Sequence, residues 1–229
     1  MADEFSVSET CDVLSRQLNS FWNTVLPDNI EELVSDTISQ VKSSWDESSR
    51  IYYKKRGFSV LNTSVYATFL YYLAHRIGTI GGTQLADKLY YLNKILNSVE
   101  WYWNIELPQH FIVEHPIGSV LGKARYGNYF SIYQGVTVGE RLSKDIVEWP
   151  TLGHHVTMFA HSSVIGNCKI GNWVIMSAYS RVINEDIPDS CIVFGQSPSL
   201  TIKQYSREEI EKYFVKSWSA DSLKSQGNI

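Results

Sequence analysis

From Leu152 onward an aliphatic side chain recurs at every sixth position: Leu152, Met158, Val164, Ile170, Met176 and Val182. Neither the 3.6-residue period of a helix nor the two-residue period of a half-buried strand produces this spacing. Four residues after each of the first five stand Val156, Ser162, Cys168, Val174 and Ser180, all small or β-branched. A triangular coil accounts for both series. One large aliphatic per short face fills the interior, and a small residue packs beside it where the chain turns a corner. The same register runs upstream through Tyr126, Ile132 and Val138, with Gly127 and Gly139 just after two of them, and more weakly through Leu107 and Val113. Such repeats cannot bury a core singly and must stack, so the spacing predicts roughly four to five coils between residues 100 and 190. The predicted architecture is a left-handed parallel β-helix of hexapeptide repeats.

The register breaks once. GERLSKDIVEWPT, residues 139 to 151, is polar, charged and closed by Pro150, and reads as an excursion from the coil. Loops interrupting a rigid scaffold are frequent carriers of function.

Before residue 100 the pattern is helical. Asp28, with Glu31 and Glu32, reads as an N-cap with first-turn acids opening a helix whose Ile30, Leu33, Val34, Ile38 and Val41 share one face. SVYATFLYYLAHRIG is expected to end at Gly78 as a C-cap, with Arg76 favourable near its end, and TQLADKLYYLNKILNSV predicts a further helix from Thr83 to Val99. After Pro188 the hexads stop, and Ser206 with Glu209 forms a capping-box signal for a last helix. The fold class is therefore α+β. A helical domain (1–99) precedes a β-helix domain (100–203), followed by a C-terminal helix and tail (204–229), of which the last eleven residues read as disordered.

Composition narrows the setting. A net charge of −4 across 229 residues gives no electrostatic reason to expect nucleic acid or an anionic membrane as partner. No apolar run approaches a membrane span, and the acidic MADEFSVSETCD start is unlike a signal peptide. Cys11, Cys168 and Cys191 form neither a disulfide framework nor a paired metal-ligand spacing, so a cytoplasmic protein with reduced thiols is expected. The 14 Tyr and 7 Trp point to sticky, buried or subunit-facing surfaces.

A triangular coil has no deep pocket of its own, so ligands are expected in grooves between the subunits of a homotrimer. His115, in FIVEHPIGSVLG, is the leading catalytic candidate, at a corner of an early coil. A neutral imidazole can accept the proton of a hydroxyl attacking a thioester, a role typically worth about 10²- to 10⁴-fold in rate. The bland alternative is a surface histidine with no role.

From about residue 66 to 199 the chain resembles the serine acetyltransferase family. The resemblance rests on YYLAHRI, on EHPIG at 114–118, on SIYQGVTVG at 131–139 and on the hexad run itself. It implies acetyl-CoA as donor, His115 as catalytic base and Glu100 as its acidic partner, in a place where the family has aspartate. It also implies a pantetheine groove beside Gly139, Ala160 and Ala178. Gly195 and Pro198 match the segment closing the coil, and Lys203 is set to meet the nucleotide phosphates. Homotrimers, with helical regions pairing trimers into hexamers, are a further implication.

The departures lie on the acceptor side. Glu148 and Trp149 stand where the family has Arg-His, and Lys123 stands where it has an acid. A carboxylate there would repel an amino-acid carboxylate, and an indole favours a sugar face. With Glu114 beside the base, these residues favour a sugar-type hydroxyl or amine over free serine. Two readings of another class remain. One is a zinc site of the carbonic-anhydrase kind among His75, His110, His115, His154, His155 and His161, although no metal is expected. The other is a non-catalytic scaffold.

Overall fold

The computed structural model describes residues 3–48, 57–143, 145–214 and 218; the tail expected to be disordered, 219–229, lies outside them. Four helices come first: α1 (Val7–Asn19), α2 (Ile30–Asp46), α3 (Thr63–Thr79) and α4 (Thr83–Asn97). Helix α1 opens with a capping box, Glu9 N–H donating to Ser6 Oγ and Ser6 N–H to Glu9 Oε2. The five apolar residues expected on one face of α2 are all buried. Helix α3 is buried on nearly every side from Val65 to Ala74, as befits the most apolar of the helical segments.

Three helix boundaries differ from expectation, one being that of α4, which stops at Asn97 short of Val99. Asn29, not Asp28, is the N-cap of α2, and it makes no side-chain capping bond. Gly78 lies inside α3, which runs on to Thr79. Packing explains that glycine: a Cβ there would sit 2.3 Å from the Trp103 ring.

Strands begin at β1 (Glu100–Trp101), and the chain then winds a parallel β-helix with three faces. One face stacks β2 (Phe111–Val113), β5 (Phe130–Ile132), β10 (Val156–Met158), β13 (Val174–Met176) and the first half of β15 (Cys191–Gln196). The second stacks β1, β3 (Val120–Leu121), β6 (Thr137–Gly139), β11 (Ser163–Ile165) and β14 (Arg181–Ile183), and the last residue of β15 adds to it. The third holds β4 (Arg125–Tyr126), β9 (Thr151–Leu152) and β12 (Lys169–Ile170), with Ile187 bridged to Ile170.

The hexad aliphatics form columns, one per face. Met158 pairs with Ile132 and Met176, Leu152 with Tyr126 and Ile170, and Val164 with Val138 and Val182. Each pair above Leu152 is 18 residues apart, three hexads to a coil. The small series lines the corners as expected, Val156, Ser162, Cys168, Val174 and Ser180 all being buried. Ser162 and Ser180 each donate a hydroxyl to the carbonyl three residues back at 2.7 Å, which satisfies a buried polar group at the turn.

The third face lacks a first rung, so Leu107 is not a strand position. Residues 102–110 instead run beneath α3. Tyr71 donates its hydroxyl to the Ile105 carbonyl at 2.6 Å and accepts the Leu107 N–H at 3.0 Å.

At another corner the rings of His110, Tyr129, His155 and Trp173 stack with centroids 4.9, 4.5 and 3.7 Å apart, and the Arg207 guanidinium lies 3.3 Å over Trp173. Arg207 opens α5 (Arg207–Phe214), capped as expected by Ser206 and Glu209. Ile210 and Phe214 of α5, together with Trp218, are buried against the coil. An edge strand, β16 (Ser199–Gln204), turns back antiparallel on β15.

Because Met158 is fully buried between Ile132 and Met176, Met158→Ala should remove about 2–5 kcal/mol of stability. Denaturant unfolding followed by tryptophan fluorescence measures this, and a loss below 1 kcal/mol would mean the interior column is not the core.

Candidate active site

His115 owes its place to a lengthened corner. Val113 pairs with Ile132 and Val120 with Thr137, so seven residue steps turn this corner where the next coil uses five. The two extra residues form a bulge. His115 sits on it with φ +51°, its side chain exposed. Among the described residues no hydrogen bond to its imidazole is formed. Glu114 on the same bulge is half-buried.

Directly above, the same corner recurs as Gln134–Gly135, Ala160–His161 and Ala178–Tyr179, linked by backbone bonds from Gly135 to Ile117, His161 to Gln134 and Tyr179 to Ala160. Ile117, Gln134, Ala160 and Ala178 thus lie in one vertical column, with His115 two residues before its foot on the inserted part of the bulge. Ala160 is half-buried and Ala178 exposed, so neither small side chain is required by interior packing. Beside them Tyr133 stacks on Phe159 and His161 on Tyr179.

Gly139 ends the second-face strand β6, and here a packing explanation fails. A Cβ would meet nothing within 4 Å, and its φ is not among the positive ones. The excursion begins at this residue. Val138 and Val164 are 26 residues apart instead of 18, so eight residues leave the coil. They form an antiparallel hairpin of β7 (Arg141–Ser143) and β8 (Ile146–Glu148). Leu142 and Ile146 are strongly exposed on it. At its base the Lys123 ammonium lies 4.0 Å from the centre of the Trp149 ring. The structure thereby joins two residues chosen separately from sequence, by a cation–π contact.

These groups occupy opposite edges of one face. His115 precedes β3 and Lys123 follows it. Lys203 lies farther up, exposed on β16 and 5.3 Å from the Phe194 ring.

Glu100 is engaged elsewhere. Its carboxylate accepts Lys94 Nζ at 2.5 Å and the Tyr90 hydroxyl at 3.0 Å, both from α4. The Lys94 hydrogen bond is the main cause holding this carboxyl below the ordinary glutamate value. Sequence reasoning missed both partners, which lie in a helix with no motif to mark them.

The six histidines do not converge. His75 Nδ1 meets the Trp103 carbonyl, His110 and His155 belong to the ring stack, His154 accepts the Asn128 N–H and His161 stacks on Tyr179. Among the described residues no three histidine, cysteine or acidic side chains gather as a metal-holding group. Burial pushes His110 and His154 below the ordinary histidine value.

No family model matches the chain. A serine acetyltransferase of Synechococcus elongatus is 37% identical over 108 residues, which cover 47% of this chain and 44% of that protein. Over this stretch the chain is similar to the serine acetyltransferases. The match spans less than half of that relative's length. The serine acetyltransferase of Neisseria gonorrhoeae superposes with a TM-score of 0.68, covering 91% of this chain and 84% of that one at 22% identity. A serine acetyltransferase in complex with CoA superposes at 0.58 and 17% identity. The helices followed by a parallel β-helix are therefore the serine acetyltransferase fold. No helix of the described residues is long and apolar enough to cross a membrane.

Replacing Lys94 by Met should raise the Glu100 carboxyl toward its ordinary value, read by carbon NMR titration. The depressed pKa means that the pair stabilises above the ordinary glutamate range and is lost as pH falls through the folded value; both side chains are half-exposed, so the effect on stability is small. An unchanged Glu100 titration would show that Lys94 does not hold it.

Proposed function

We propose that this chain transfers an acetyl group from acetyl-CoA to a hydroxyl of a small acceptor, with His115 as general base. The observation carrying this reading is the exposed, bulge-borne His115 on the same corner whose upper rungs carry the small residues Ala160 and Ala178. Ala160 and Ala178 leave room for an extended pantetheine chain along the corner. Gly139, with open space in place of a Cβ, suits the passage of the thioester. The relative solved with CoA supports the donor, which also fits the cytoplasmic setting expected from the sequence.

In this reading the imidazole takes the acceptor's hydroxyl proton as its oxygen attacks the thioester carbonyl. The tetrahedral intermediate collapses, the carbon–sulfur bond breaks, and the proton passes to the leaving thiolate. Glu100 serves as acidic partner only when it turns from Lys94, so the base assignment stands on His115 alone. In a homotrimer with sites between subunits, the hairpin edge with Lys123, Glu148 and Trp149 would face His115 of a neighbouring copy. Lys203 would face the nucleotide phosphates.

Serine is the first acceptor to consider, because the relatives are serine acetyltransferases. A second reading, a sugar-type acceptor, is favoured by one observation: Trp149 and Lys123 form an aromatic and cationic platform without the paired arginine that an amino-acid carboxylate would seek.

Release of free CoA thiol, measured over a panel containing L-serine and hexose-based acceptors, separates the two readings by the larger kcat/KM. His115→Ala should lower kcat by about 10²- to 10⁴-fold while calorimetric CoA binding is retained. Retained turnover in that variant would remove His115 from the mechanism. Absence of CoA binding in the wild-type chain would remove the transferase reading altogether.

A further inference from the structure

The bulge carrying His115 is braced from inside the coil. Ser119 is fully buried; its hydroxyl donates to the Pro116 carbonyl at 2.7 Å and accepts the Trp101 indole N–H at 3.0 Å. Trp101 is itself 1% exposed, edge-on to the Phe111 ring at the closed end of the coil. The backbone joins in. Gly118 N–H donates to the Ser98 carbonyl at 2.8 Å, and Glu100 N–H donates to the Ser119 carbonyl at 2.9 Å. Residues 98–101, where α4 hands over to β1, therefore grip the last part of the bulge, and the relay from Trp101 reaches the carbonyl of the residue directly after His115.

The serine's bond to the carbonyl three residues back is a device of the fold, since Ser162 and Ser180 make it too. Two things set Ser119 apart. It receives a second hydrogen bond, from a buried indole, and it stands in the corner that is two residues longer than the one above it. A longer corner has more backbone freedom. His115 holds a left-handed conformation in it, which costs a residue other than glycine roughly 1–2 kcal/mol that the surroundings must offset. A brace against the neighbouring peptide supplies that offset.

We propose that Trp101 and Ser119 are positioning residues for His115, aiming its imidazole by clamping the Pro116 peptide. This rests on His115 being the general base. An error of about 1 Å in placing a reacting group can cost on the order of 10²-fold in rate, so partial loosening should register in kcat and not in donor binding.

Ser119→Ala is expected to lower kcat roughly tenfold, with the KM for acetyl-CoA little changed. Ser180→Ala removes the matching back-bond three coils higher and should lower Tm without lowering kcat per folded protein. Ser119→Ala also strands the indole N–H. The double variant Ser119→Ala/Trp101→Phe removes that orphan, so it should regain Tm while kcat stays low. If kcat instead recovers along with Tm, or if Ser119→Ala and Ser180→Ala affect kcat equally, the pair is structural only and the proposal falls. Should Ser119→Ala fail to fold, Trp101→Phe alone carries the test through the same split between kcat and KM. If Ser119→Ala leaves kcat unchanged while His115→Ala is inactive, the clamp is refuted and the general base stands. If His115→Ala is fully active, both fall together.

Discussion

Everything in the coil depends on like residues lying over like. A parallel rung bonds to the rung above through its backbone, and this places Met158 between Ile132 and Met176 and Val164 between Val138 and Val182. Strands of two or three residues are too short to be stable alone. They persist because each interior column buries a large aliphatic on every face. The corners are where this arrangement is costly. Turning them puts His115, Tyr129, His155, His161, Trp173 and Tyr179 into the left-handed region, which glycine would occupy with less strain. Ring stacking offsets part of that cost. Tyr129, His155 and Trp173 form one stack and His161 with Tyr179 another, at about 0.5–1.5 kcal/mol per aromatic pair.

The helices serve the coil as well as themselves. Helix α3 ties down residues 102–110 through Tyr71, Tyr72 and His75. Helix α4 is capped by Ser98, whose carbonyl receives the Gly118 N–H, and sends Lys94 and Tyr90 to Glu100. The candidate base is thus set by two bodies at once, the first coil beneath it and the helical hairpin beside it.

The coil was legible because a six-residue period belongs to no other element. The excursion showed itself as a break in that period, and the capping box before α5 as local chemistry. What stayed hidden has physical reasons. Several left-handed corners were invisible because aromatic and histidine residues occupy them, unlike those at Gly135, Gly166 and Asn184. Gly78 looked like a helix end because its close approach to Trp103 is a tertiary contact. Leu107 fitted the hexad count by spacing, yet its segment is held against α3 by tyrosine hydroxyls. Among site residues, sequence singled out Lys123 and Trp149 separately but not their contact, and it paired Glu100 with His115 without the competing Lys94.

The excursion leaves the coil after Gly139 and returns at Thr151, and the rungs on either side stack as though nothing intervened. Its two ends are fixed by the ladder, but its length is not. Eight residues could become four or twelve without displacing an interior side chain. The hairpin surface, which we propose meets the acceptor, is thereby free to diversify, while the interior hexads stay bound to their repeat. A lineage built on this scaffold can remodel its hairpin far more readily than its interior columns.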